Sequence, residues 1–280
     1  MHKLMNSLID PTAIIDPHAR LDPTVRIGAY SVIEGPVTLG PNCVIASQVK
    51  LIGPLEMGSG NKVHSFSVLG DAPQDLKYRD QPSRVIIGEN NIFREHVTVH
   101  RGTGGDTVIG SNCFFMVGSH VGHNCRVGNG VTLVNSAVLG GHVQVFDRAI
   151  IGGLCAMHQF CRVGRLAMIS NNSAHNVDIP PFCIVMKINT IAQLNLVGLR
   201  RSGMTREHIN GVREMFRILF RERRESQLKT NIRLLSPQLL AIPEVREFTE
   251  FVASSKRGVA RFQPWSEQQS RQAGAADTDE

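Results

Sequence analysis

Four of the eleven histidines fall where they could act together: His120, His123, His142 and His158. An imidazole titrates near neutrality and can take a proton from a hydroxyl that attacks an acyl group, so general base catalysis is one chemistry for such a cluster. A zinc site is another, and it needs three or four ligands that converge on a point. A serine–histidine–aspartate site is not visible, because no GxSxG turn is present. Which chemistry is open depends on the elements that place these side chains.

Those elements repeat. Apolar residues recur at every sixth position from Ile9 to Leu69, return in phase at Ile87, Phe93 and Val99, and after a shift run from Ile109 to Ile169, which makes 25 anchors. Neither the period of a helix nor that of an alternating strand fits. A hexapeptide period fits a parallel β-helix, in which each hexad supplies one short strand and a turn, and three hexads close a triangular coil of about 18 residues. Coils then stack at about 4.8 Å, the strand spacing of a sheet. The anchor points into the prism, and the residue four further on is small or valine, as at Ala13, Ala19, Val25, Ser31, Val37 and Cys43. The composition agrees, with 26 Gly against 12 Phe, 2 Tyr and 1 Trp. Aliphatic side chains fill such a prism, and rings are expected to overfill it.

An 18-residue coil stacks Val121, Leu139 and Met157 on one wall. His120, His123, His142 and His158 therefore line one edge of successive coils. Side chains stacked on a wall point in parallel, so zinc would need ligands from a neighbouring subunit. Cys43, Cys113, Cys125, Cys155 and Cys161 all take the small fourth position, and no CxxC pair exists. They read as small buried residues, and a reducing cytoplasm is the expected setting.

With 42% apolar and 19% charged residues the chain is not of the disordered class. No run reaches the roughly 18 apolar residues of a membrane span, and Met1 to Ile9 lack the apolar region of a secretory signal. Residues 1–190 read as the β-helix, interrupted by insertions at 70–86 and 100–108, and loops that leave a rigid scaffold tend to carry function. Residues 191–264 read as a small helical domain, with Thr205 as an N-cap and further helices near Pro237 to Ala241 and from Pro243 to about Ser254. This part holds 14 Lys and Arg against 7 Asp and Glu, a basic face that could meet nucleic acid, anionic lipid or a phosphorylated small molecule, though the excess is too modest to favour nucleic acid. Arg221, Arg223 and Arg224 read as a solvated helix face. Residues 265–280 are polar and read as a disordered tail.

Several stretches together resemble the UDP-N-acetylglucosamine O-acyltransferases, hexapeptide-repeat enzymes of lipid A synthesis. They are Asp75-Leu76-Lys77-Tyr78, His100-Arg101-Gly102-Thr103, His120-Val121-Gly122-His123-Asn124-Cys125, Gly140-Gly141-His142-Val143, His158-Gln159-Phe160 and Gly198-Leu199-Arg200-Arg201. The likeness covers about residues 9–258. It implies a left-handed parallel β-helix with a C-terminal helical domain, assembled as a homotrimer, cytoplasmic and without a cofactor or metal. It implies transfer of an R-3-hydroxyacyl chain from acyl carrier protein to the 3-position of UDP-N-acetylglucosamine, with His123 as general base. Gly141 matches the residue whose N–H faces the developing oxyanion. Asp75 matches a sugar-binding carboxylate, with Gln74, Lys77 and His142 nearby along the path of the acyl-phosphopantetheine. His100, His120, His158, Gln159, Asn195 and Arg201 match positions around the sugar and the nucleotide. Asn171 stands at a position that limits acyl-chain length in some members, where glycine is common. Asn124 follows the base where aspartate is common, and Val197, Ser202 and Met186-Lys187 depart from the nucleotide-contacting pattern.

Two other classes remain as alternatives, a γ-class carbonic anhydrase-like zinc enzyme and a non-catalytic hexapeptide-repeat scaffold. The related N-acyltransferases of the pathway normally carry a separate N-terminal uridine-binding domain, whereas here the hexads begin at residue 9.

Overall fold

The computed structural model describes residues 8–221 and 228–263. Arg223, Arg224, the polar tail 265–280 and the first seven residues lie outside the described residues. The chain winds as a left-handed parallel β-helix whose three faces are sheets of nine, eight and eleven strands. Most strands are two or three residues long, and as far as Ala156–Met157 each pairs with the strand three further along the chain. Val121 pairs with Leu139 and Leu139 with Met157, in the register that an 18-residue coil requires. The anchors form one continuous core, and Val121, Leu133, Leu139 and Ile151 have no exposed surface.

The fourth-position cysteines have a use beyond size. The thiols of Cys43, Cys113 and Cys125 each donate at 3.1 Å to a glycine carbonyl of the next coil, and Ser31 Oγ donates in the same way to Ala46 O at 2.7 Å. Burial pushes the Cys113 thiol up to about 11 and Cys125 to about 12, so both remain protonated donors.

Rings do enter the prism. Phe93 and Phe115, both fully buried anchors, stack with centroids 4.7 Å apart and planes 2° from parallel. That spacing is the rise of one coil, so flat rings on consecutive coils can lie face to face.

Beyond Ile169 the largest sheet continues through Cys183–Val185, turns antiparallel into Thr190–Leu194 and takes up Arg261–Phe262 as its edge. Between these lie helices Leu196–Arg201, Arg206–Phe216 and Pro243–Ala253, with shorter turns at Leu228–Asn231 and Pro237–Leu240. Thr205 caps the second helix, its side chain accepting from His208 N at 3.2 Å. Val212, Met215, Phe216, Val245, Phe248 and Val252 supply the buried face of this part. Arg162 fastens it to the prism. It pairs with the buried carboxylate of Asp178 at 2.7 Å, donates to Phe251 O at 2.9 Å and lies over the Phe251 ring at 4.2 Å.

Candidate active site

The histidine edge is the corner between the nine-stranded and eight-stranded sheets. In each coil the chain leaves a short strand, turns through two residues and enters the next strand. The second turn residue has a positive φ in three successive coils: Asn124 at 60°, His142 at 61° and Phe160 at 66°. Asparagine tolerates this region well, and the other two bear its cost in a corner that demands it. The turns stack, so His142 N donates to His123 O at 2.8 Å and Phe160 N to Gly141 O at 3.0 Å.

This stacking brings His123 over Gly141. A Cβ built on Gly141 would fall 2.3 Å from His123 Nε2, which places Nε2 within roughly 4 Å of the Gly141 Cα. The Gly141 N–H has no acceptor among the described residues. Nε2 of the imidazole thus packs on a residue whose backbone donor is unengaged among the described residues. His123 Nδ1 lies 2.9 Å from Asn124 Oδ1, and the imidazole meets that of His142 edge to face at 5.2 Å. His142 in turn stacks on Phe160 at 4.6 Å.

His100 and His120 stand beside this group, with ring centroids 4.8 Å apart. Burial lowers His120 to about 4, helped by His100 and His123, and its Nδ1 shares a hydrogen bond of 2.8 Å with Thr98 Oγ1. Burial also lowers His100 and His142, and the charge of His123 acts in the same direction on both. The three imidazoles around His123 are therefore neutral at neutral pH. Among the described residues no three His, Cys, Asp or Glu side chains converge to hold a metal ion.

Both insertions leave from this corner. Arg101 ties them together, donating to Gly70 O at 3.0 Å and to the Tyr78 hydroxyl at 3.2 Å. Asp75 opens a turn by accepting from Lys77 N at 2.9 Å, and its charge reaches His142 and opposes the lowering there. Gln74 and Lys77 are exposed on the same loop. His158 and Gln159 are exposed one coil beyond His142, and Arg257 reaches His158 Nδ1 at 3.3 Å. A cavity of about 550 Å³ opens beside the corner, with Asn124, His142, Phe160, Arg126, Arg162 and Arg257 in its lining.

Three expected residues lie elsewhere in the chain. Asn195 is buried and caps the helix Leu196–Arg201, accepting from Gly198 N at 2.9 Å and donating to Leu166 O at 2.9 Å. Arg201 is exposed at the next corner of the coil, where its carbonyl accepts from Arg148 at 3.1 Å. Asn171 occupies the third corner, its Oδ1 accepting from Gly153 N at 2.8 Å. Sequence reasoning did not single out Thr103, Gly105 and Phe160 as parts of the histidine group. The signal available for Phe160 was its place in the turn two coils after Asn124.

A family model described as UDP N-acetylglucosamine O-acyltransferase, domain 2, matches residues 178–260, and a bacterial transferase hexapeptide model matches 18–53 and 106–141. The chain is 41% identical over 257 residues to the acyl-[acyl-carrier-protein]–UDP-N-acetylglucosamine O-acyltransferase of an Anaeromyxobacter species, covering 90% of this chain and 99% of that one. With the same-named protein of Halorhodospira halophila it shares 38% identity at the same coverage. The UDP-N-acetylglucosamine acyltransferase structure of Francisella novicida superposes with a TM-score of 0.86 at 31% identity, over 93% of this chain and 96% of that one. The Campylobacter jejuni structure of the same name gives 0.83 at 34% identity, over 91% and 100%.

Proposed function

The chain belongs to the UDP-N-acetylglucosamine O-acyltransferase family and is an acyltransferase, and on that premise we propose that it moves an R-3-hydroxyacyl chain from acyl carrier protein to the 3-hydroxyl of UDP-N-acetylglucosamine, the first step of lipid A synthesis. The observation that carries the mechanism is the close packing of His123 Nε2 on the Cα of Gly141, a residue whose N–H has no acceptor among the described residues. Nε2 takes the proton of the sugar hydroxyl as its oxygen attacks the thioester carbon. Negative charge gathers on the former carbonyl oxygen, and the Gly141 N–H is a donor already in place for it. Collapse expels the pantetheine thiolate, which takes the proton back from the imidazolium. No acyl-enzyme forms.

Asp75, with Gln74, Lys77, His100 and His120, meets the sugar and the arm of the donor, and the exposed pair His158 and Gln159 borders the nucleotide. Asn195 and Arg201 lie away from the histidine corner of their own chain. Their part in nucleotide binding, and that of Asn171 in acyl-chain length, are therefore read as contributions between neighbouring copies of a cytoplasmic homotrimer. The test is an acyl-transfer assay with UDP-N-acetylglucosamine and a ladder of 3-hydroxyacyl carrier proteins. Transfer with a clear optimum of chain length supports the reading, and no transfer from any donor overturns it.

A further inference from the structure

The Asn124 side chain is held at both ends by the backbone of the 100–108 insertion. Its Oδ1 accepts from Thr103 N at 2.8 Å, and its Nδ2 donates to Gly105 O at 3.2 Å. A backbone N–H can only donate and a carbonyl can only accept, so the two ends of the amide are assigned by their partners. The atom that faces His123 Nδ1 at 2.9 Å is that same Oδ1, an acceptor. The imidazole must therefore carry its proton on Nδ1. We infer that Asn124 and residues 102–105 form a neutral clamp that holds His123 as the Nδ1–H tautomer and leaves the Nε2 lone pair facing the acceptor site. This rests on His123 being the base of the proposed reaction, and it makes Asn124 a positioning residue.

The clamp is matched to an amide. An aspartate at this position would still accept from Thr103 N and from the imidazole. Its second oxygen, however, would face the Gly105 carbonyl, acceptor against acceptor. The backbone is fitted as closely, since a Cβ on Gly102 would stand 1.7 Å from Gly105 O and 2.6 Å from Asn124 Nδ2. Asn124 N also donates to Thr107 Oγ1 at 2.8 Å, which ties the turn to the returning strand. Because the clamp is neutral, no carboxylate bound to Nδ1 favours the imidazolium. The other titratable groups around His123 are the imidazoles of His100, His120 and His142, with Asp71 acting on His100 and Asp75 on His142.

Selective ¹⁵N-histidine labelling of the full chain, with long-range proton–nitrogen correlations assigned by His123→Ala, reads the tautomer without substrate. The native protein is expected to show Nδ1 protonated and Nε2 bare at pH 8. Asn124→Ala, which removes the clamping amide, and Gly102→Ala, which drives a methyl group into Gly105 O and Asn124 Nδ2, are expected to give a mixture of tautomers. Both should lower kcat about tenfold with KM for the two substrates within about twofold. Asn124→Asp is expected to move the acid limb of the kcat/KM profile upward by about one pH unit, the lower end of the effect of an adjacent opposite charge. An Nε2–H signal in the native protein, a tautomer unchanged by both clamp variants, or an acid limb unmoved in Asn124→Asp overturns the clamp. Absence of transfer in the native protein would defeat the proposed reaction instead and leave the tautomer result standing.

Discussion

His123 rests on a glycine that has no room for a methyl group: a Cβ at residue 141 would lie 2.3 Å from Nε2 and 2.5 Å from Cε1 of the imidazole. Gly141 is not among the glycines with a positive φ, so alanine there is no burden to the backbone. Its methyl must displace the ring. Gly141→Ala is expected to keep the β-helix, with a melting temperature within a few degrees of the parent. It should lose transfer activity by about 10² or more, since a base moved by an ångström no longer meets its proton. Parallel thermal melts and initial rates separate the two effects.

Arg162 is the fastener between the prism and the C-terminal helices. Asp178 is 1% exposed, and Arg162 supplies its charge partner along with hydrogen bonds to Phe251 O and Ser254 Oγ. Arg162→Met leaves a buried carboxylate unpaired, a change that costs about 3–5 kcal/mol. The loss should be local first, with faster amide exchange across Pro243–Ala253 than in the strands around Leu133. Adding Asp178→Asn should recover part of the stability. Uniform exchange in both regions would contradict the assignment.

The repeat made the prism legible, because each of its anchors has a fixed fate in a coil that stacks identical positions. The histidine edge followed from the same arithmetic. What Asn124 does was not legible, since its partners Thr103 and Gly105 lie in an insertion whose path the period does not govern. The chemistry of Cys43, Cys113 and Cys125 was half legible: burial followed from spacing, but the thiol-to-carbonyl bond needs the height of the next coil. The phenylalanines show the limit from the other side. Volume alone argued against rings in the prism, and the flat stack of Phe93 on Phe115 depends on both being in register.

Stability should depend on pH through His175. Burial lowers this residue to about 4 from an ordinary value of 6.5, and its ring is held neutral between Ser173 Oγ at 2.9 Å and Asn189 N at 3.1 Å. Between those two values the unfolded chain binds a proton that the folded chain refuses, so stability rises with pH. The contribution is complete above about pH 6.5 and lost as pH falls toward 4, on the order of 3 kcal/mol for a shift of this size. Denaturant unfolding at pH 7 and pH 4.5 measures it. In His175→Asn, whose amide oxygen can still accept from Asn189 N, the slope should flatten, and an unchanged slope would assign the pH dependence to other groups such as His120.

The central claim is that Nε2 of His123 takes the proton of the attacking hydroxyl, and its most direct measurement is the turnover of His123→Ala with UDP-N-acetylglucosamine and the preferred 3-hydroxyacyl carrier protein. Transfer is expected to fall by about 10² or more, the scale of a lost general base, while circular dichroism and the oligomeric state remain those of the parent. Turnover equal to the parent's, in a variant that keeps its fold, would contradict the account.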